Sequence, residues 1–261
     1  MSEREKIVRY YKASGDGELA ARLIDLAEGA IKGRRAKTSE FLDPHGYSIA
    51  ETVAAHYPRV KLQAWGGFQG AERVRAAFIN EEYRGEADFS LAAVQLTWDE
   101  RYYRLTHRDV LGALMGLGLK REVMGDIIMQ GPSCQVVVDV ELKDYFLKQI
   151  TTVGAATVEV KEIDLTELAA KEEKIKDIRT TVPSLRLDTV AASGFGVSRS
   201  RMAEEIAADK LKLNWQDAKS AAQAVKQGDI ISMRGRGRVE VCEIVGQTKK
   251  GRISLLLKRF L

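Results

Sequence analysis

Five short runs near the end of the chain decide its fold: Ser184-Leu185-Arg186-Leu187-Asp188, Ser198-Arg199-Ser200-Arg201, Lys210-Leu211-Lys212-Leu213-Asn214, Gly228-Asp229-Ile230-Ile231 and Arg234-Gly235-Arg236-Gly237-Arg238. Residues 185–192 predict a helix stopped by Gly194 and Gly196. Ser198 is placed to cap a second helix reaching about Ala208, with Met202 and Ile206 four apart on its core side. Residues 210–213 alternate charged and apolar, which predicts a strand with Lys210 and Lys212 pointing outward. Gly228-Asp229 makes a turn before the strand Ile230-Ile231. The glycines between Arg234, Arg236 and Arg238 suit either a hairpin bend or a close approach to a ligand. Lys249-Lys250-Gly251-Arg252 reads as the tip of a last hairpin between 240–245 and 253–257.

Working outward, the charge is uneven. The chain of 261 residues has a formal net charge of +4. From residue 184 onward there are 15 Lys and Arg against 8 Asp and Glu, a net of +7; the remainder has 26 against 29, a net of −3. Positive charge gathered in one segment is the footprint of a module that meets phosphates, with a solvated basic face as the plain alternative. Arg199 and Arg201 in a first helical turn oppose the helix dipole by a few tenths of a kcal/mol. The same turn offers free N–H groups to an incoming phosphate. A locally unfavourable choice of this kind marks a functional position.

The composition, 45% hydrophobic and 30% charged, is that of a globular protein of two or three domains. No apolar run nears the ~18–20 residues that span a bilayer, and Met1-Ser2-Glu3-Arg4-Glu5-Lys6 lacks a signal-peptide core, so the expectation is a cytosolic protein without membrane contact. Cys134 and Cys242 lie in separate apolar runs and read as packing residues. With His45, His56 and His107 they show no metal-ligand spacing, and no cofactor is expected.

The expected fold is α+β in three parts. Residues 1–62 read as helical: Leu19, Leu23, Leu26, Ala27 and Ala30 share one face, Lys32, Arg34, Arg35 and Lys37 follow, residues 41–46 form a turn, and Ser48 with Glu51 offers a capping box. Residues 63–178 read as an α/β domain in the order β-β-α-β-β-α-β, with strands near 74–79, 92–98, 127–129, 134–140 and 156–163 and helices after Thr106 and over 142–150. Its outline is that of an RNA-recognition-motif sandwich, but the aromatic strand signature is absent, so base stacking on the sheet is unsupported. Residues 165–183, rich in Glu and Lys, read as a partly helical linker into the basic module at 184–261.

The five runs, in order and spacing, resemble the S-four RNA-binding domain, named for ribosomal small-subunit protein S four. The chain has Asp209 and Asn214-Trp215 where that family often has Gly and Asn-Gly. Phe41-Leu42-Asp43-Pro44, residues 106–118 (Thr106-His107-Arg108-Asp109 and onward) and Gly125-Asp126-Ile127 are similar to the YlmH-like family, including its photosynthetic branch, the photosystem II S-four domain protein. The resemblance implies a monomeric, cytosolic, non-catalytic protein that binds rRNA or tRNA on the large ribosomal subunit, with members linked to ribosome-associated quality control of stalled peptidyl-tRNA complexes. It raises His107 and Arg108 to possible RNA contacts. The residues expected to hold RNA are Arg186, Ser198, Arg199, Arg201, Lys210, Lys212, Asn214, Arg234, Arg236 and Arg238.

Two other classes stay open. S-four modules also occur fused to pseudouridine synthases, RNA methyltransferases and tyrosyl-tRNA synthetases. Arg186-Leu187-Asp188 approaches a synthase loop, but it lies inside the basic module, where Asp188 is expected to brace its helix or a neighbouring Arg. Gly66-Gly67-Phe68-Gln69-Gly70 lacks the Lys-Ser/Thr of a Walker loop, and His107-Arg108-Asp109 stands without the other kinase motifs. A support of photosystem II assembly or expression, or a protein scaffold built on the acidic first two-thirds, is the remaining alternative.

Overall fold

The computed structural model describes residues 2–169 and 175–260. The chain divides into two compact units, Met1–Lys171 and Glu172–Leu261.

The first unit begins with α1 (Glu3–Lys12), whose N-cap Ser2 forms a capping box with Glu5. Helix α2 (Gly17–Gly33) buries Leu23, Ile24, Ala27 and Ala30 on one face. Then come β1 (Ala36–Leu42), α3 (Pro44–His56), β2 (Val60–Trp65) and β3 (Val74–Asn80). The three strands form an antiparallel sheet in the order β1-β3-β2. Residues 1–62 are therefore not helical throughout, and residues 74–79 pair with β1 and β2 instead of joining the middle sheet. β1 lacks a strong alternating pattern, whereas β2 alternates apolar and polar residues from Val60 to Ala64; both pair with β3, which is buried along most of its length. The start of α3 also differs from the expectation. Asp43 is its N-cap, accepting from the Gly46 N–H at 2.8 Å with Pro44 at the first position, while Ser48 lies inside the helix and donates to the His45 carbonyl.

The rest of this unit runs β4 (Leu91–Thr97), α4 (His107–Gly116), β5 (Met124–Gln130), β6 (Ser133–Asp139), α5 (Lys143–Gln149), a small ribbon of β7 (Thr152–Val153) and β8 (Ala156–Thr157), and β9 (Glu159–Ile163). The main sheet has the order β5-β6-β4-β9, all antiparallel, which with the two helices makes a split β-α-β arrangement. On one face Val94, Leu96, Val136 and Val138 pack against Val110 and Leu114 of α4 and Phe146 of α5. On the other, Ala93, Ile128, Val137 and Ile163 pack against Phe41, Phe68 and Leu168. Gln135, 4% exposed, fastens that cover: its Nε2 donates to the Glu167 carbonyl at 3.0 Å and its Oε1 accepts from the Ala169 N–H at 2.8 Å.

The second unit contains β10 (Ile175–Val182), α6 (Leu187–Phe195), α7 (Arg199–Ala207), β11 (Leu211–Leu213), β12 (Gln216–Asp217), β13 (Ile230–Met233), β14 (Gly237–Gln247) and β15 (Ile253–Phe260). The sheet order is β10-β15-β14-β13-β11-β12. Its inner face, with Val239, Val241, Leu255 and Leu257, is covered by α6 and α7 through Val190, Ala191, Phe195 and Met202. Part of the expected linker is thus an edge strand: residues 175–182 pair with β15 along their whole length. The charged residues hide this in the sequence, because Asp177 and Arg179 lie on one face while Ile178, Thr180 and Val182 alternate on the other. Lys171 to Lys174 of that linker lie outside the described residues. Among the described residues, no helix is long and apolar enough to cross a membrane and no cluster suits a metal ion.

Candidate nucleic-acid interface

The geometry of the basic module starts from α6. Its residues are buried on nearly every side, and the helix ends at Gly196, in the left-handed region with φ 68° and its N–H bonded to the Ala192 carbonyl. Two residues on, Ser198 caps α7, its Oγ accepting from the Arg201 N–H at 3.2 Å. The sharp stop and restart brings Arg199 back over the first turn of α6, where Asp188 is 3% exposed.

Asp188 organises what surrounds it. Its carboxylate accepts from Arg186 Nε at 3.2 Å and Nη2 at 3.1 Å, from Arg199 Nε at 2.9 Å and from Thr189 Oγ1 at 3.0 Å. Burial pushes its pKa up, but the hydrogen bonds from Arg186, Arg199 and Thr189 outweigh that and hold it at about 2. A second carboxylate does the same one turn along α7. Glu205 takes Lys210 Nζ at 2.7 Å and Arg201 Nε at 3.7 Å, and the bond from Lys210 holds its pKa below the usual range, with the charges of Arg201 and Arg236 acting in the same sense. The arginine and lysine heads stay accessible, with side-chain exposures of 40% for Arg186, 54% for Arg199, 60% for Arg201 and 46% for Lys210. Two acids therefore fix the positions of cations whose outer faces remain open to a ligand.

The other expected residues fall around this pair of clusters. Lys212 points outward and lies 3.8 Å from Asp217. It stands opposite Ser232, which stands opposite Arg238, and the Arg238 guanidinium lies 4.6 Å from the ring centroid of Phe260. Arg234 is exposed and its N–H donates to the Lys210 carbonyl. Asn214 has a structural task instead. Its Nδ2 donates to Asp229 and its Oδ1 accepts from the Ile230 N–H, both at 2.9 Å. Asn214 and Trp215 both have positive φ, 51° and 63°, as does Asp209 at 53°, so this chain keeps left-handed backbone without glycine at those positions. His107 and Arg108 are exposed at the start of α4, in the first unit. Sequence reading left out Glu205 and Phe260, whose partners Lys210 and Arg238 lie outside their own elements; Asp188 was expected to brace its helix or a neighbouring Arg, and it holds two arginines.

The fold and this site define a two-unit α+β protein that carries an acid-ordered basic surface on its C-terminal unit. Residues 16–83 match the family model described as "YlmH, N-terminal", residues 85–167 the one described as "Putative RNA-binding domain in YlmH", and residues 176–242 the one described as "Mitochondrial transcription rescue factor 1, C-terminal domain". The chain is 36% identical over 228 residues to "Ribosome-associated protein quality control protein P2" of Bacillus subtilis (strain 168), across 86% of this chain and 88% of that protein. This chain belongs to the YlmH family. It also shares a fold with the solved "Cell division protein ylmH from Streptococcus pneumoniae", at a TM-score of 0.51 and 20% identity, covering 60% of this chain and 95% of that one.

Proposed function

We propose that this chain is a non-catalytic RNA-binding protein of the cytoplasm that works, as a monomer, in ribosome-associated quality control. Its C-terminal unit is an S-four-type module that grips rRNA or tRNA on the large ribosomal subunit. The observation that carries this reading is the pair of acid-centred clusters, Arg186 and Arg199 on Asp188 and Arg201 and Lys210 on Glu205. Cations held in place with open outer faces suit phosphates set at fixed spacings in folded RNA, which proteins recognise by shape and backbone. Lys212, Arg234, Arg236 and Arg238 extend the surface, and His107 and Arg108 offer a second contact on the first unit. The name of the Bacillus relative and the description of the model matching residues 85–167 support the same reading. The middle sheet follows the strand order of an RNA-recognition-motif-like domain, but the face on which such a domain stacks bases is covered by Phe41, Phe68 and Leu168, so RNA meets that domain elsewhere.

A buried Asp188 with two arginines and a threonine on its carboxylate is poorly suited to act as a catalytic nucleophile, which speaks against the synthase alternative. The test is RNA affinity of Arg199→Ala with Arg201→Ala, measured by fluorescence anisotropy against large-subunit rRNA fragments and tRNA. If about five phosphates are contacted, log K should fall with log salt at a slope of roughly −3 to −5, and the double variant should lower the slope by about 2. An unchanged affinity at moderate salt, or a slope near zero, would refute the assignment. Sedimentation of the tagged chain with free large subunits carrying peptidyl-tRNA is the matching measurement in lysate; migration only at the top of the gradient would count against the ribosomal reading.

A further inference from the structure

Arg73 and Arg121 form an unusual pair inside the first unit. Arg73 Nε donates to the Met124 carbonyl at 3.0 Å, and its Nη2 donates to the carbonyls of Phe41 and Arg121, each at 3.1 Å. Arg121 Nη1 donates to the carbonyls of Met124 at 3.1 Å and Gly125 at 2.8 Å. These bonds tie the β1 end of one sheet to the β5 end of the other and fix both guanidiniums. They leave Arg73 Nη1 and the Nε and Nη2 of Arg121 without a partner among the described residues. Neither arginine has a carboxylate within ion-pair distance among the described residues, although both are half-buried. Of the nearby acids, Asp126 accepts from the Glu72 and Arg73 N–H groups, Asp43 accepts from the Gly46 N–H, and Glu40 faces Arg22 at 3.7 Å. Both arginines line an open cavity of about 410 Å³ between α2, β1 and the turn at 121–123, with Arg22 and the acids Glu40, Asp43 and Glu122 also in its wall.

Burial pushes both guanidiniums below their usual pKa, Arg121 to about 10, with the neighbouring Arg73 charge adding to the shift on Arg121, while the charges of Asp43, Asp126 and Glu72 act in the opposite sense on both. Two guanidiniums held side by side and half-buried, with donors left over toward an open cavity, favour an anion that meets both. A phosphate presents several acceptor oxygens and two negative charges to just such planar donors.

We propose that this cavity is a phosphate-binding site, with Arg73 and Arg121 as its paired donors, taking either a phosphodiester of RNA or a phosphate of a small molecule. The cavity has room for the group that carries the phosphate. The site stands apart from the basic module of the second unit and does not depend on the RNA reading, because inorganic phosphate is the probe.

The experiment is isothermal titration of the full chain with inorganic phosphate at constant ionic strength, chloride being the balancing anion, together with the thermal unfolding midpoint in the same buffers. Saturable one-site binding is expected, with a midpoint that rises in phosphate over chloride. Arg121→Gln should weaken binding by roughly tenfold or more. Because that change also removes bonds to two carbonyls, Arg121→Lys is run beside it: it keeps the charge without the planar fork, and should bind with intermediate affinity. Repeating the titration with a saturating RNA oligonucleotide separates the sources. Displacement of phosphate identifies an RNA phosphodiester as the ligand, and undisturbed binding identifies a small-molecule phosphate. No saturable binding by the unaltered chain, or affinities unchanged in both folded variants, would overturn the proposal.

Discussion

Asp188 shows how much a single buried acid can decide. It holds Arg186, at the N-cap of α6, and Arg199, at the start of α7, in one geometry. Its pKa is held at about 2, below the ordinary value of about 3.9. A carboxylate depressed in the folded state stabilises the fold above the unfolded-state pKa, and that stability is lost as pH falls through the folded value. Asp188→Asn should therefore cost about 2 kcal/mol at pH 7 and loosen both arginines, lowering RNA affinity as well. The gap between the two proteins should narrow as pH falls from about 4 toward 2, in urea titrations at a series of pH values. A gap that stays constant down to pH 2 would show that the carboxylate charge is not what matters.

At the scale of elements, close approach explains what propensity leaves open. A Cβ on Gly194 in α6 would lie 2.7 Å from Val239 Cγ1 and 2.9 Å from its Cγ2. Valine is branched and stiff at χ1, so it has no easy way to yield. Gly194→Ala should destabilise by about 1–3 kcal/mol despite alanine's better helix propensity. Gly112, inside α4, meets nothing within 4 Å, so Gly112→Ala should stabilise by up to about 1 kcal/mol. The two denaturation midpoints should move in opposite directions, and a shift of both toward greater stability would mean that α6 is not seated against β14 as described. The strand β10 teaches the complementary point. Its alternation is visible only once β15, more than 70 residues later, is known to be its partner.

For the whole molecule, the division into two units makes a claim about autonomy. The second unit has its own core, from Val182 and Leu187 through Met202 to Leu257, and a fragment covering residues 172–261 should fold alone. By circular dichroism it should unfold in one cooperative transition, and its RNA affinity should remain within about tenfold of the full chain's, since the acid-centred clusters lie wholly inside it. A fragment without a cooperative transition would mean that the unit depends on the rest of the chain.

Much of this was legible in the residues themselves. The helix signals around Ser198 and Thr106, the glycine stops after α6 and α4, and the alternation at 210–213 all lie within a few residues of the structure they specify, where local sterics and capping decide the outcome. The concentration of basic residues after 184 was equally plain. The sequence by itself thus determined the α+β class, the basic module and its candidate cations. Only the tertiary structure decided that 36–42 is a strand and that 60–65 pairs with β3, that the outer face of the middle sheet is covered, that Asn214 serves the fold, and that Arg73 and Arg121 meet in one cavity. Each of those rests on pairing, burial or charge between residues ten or more apart in the chain, and no local pattern records which distant segment will supply the partner.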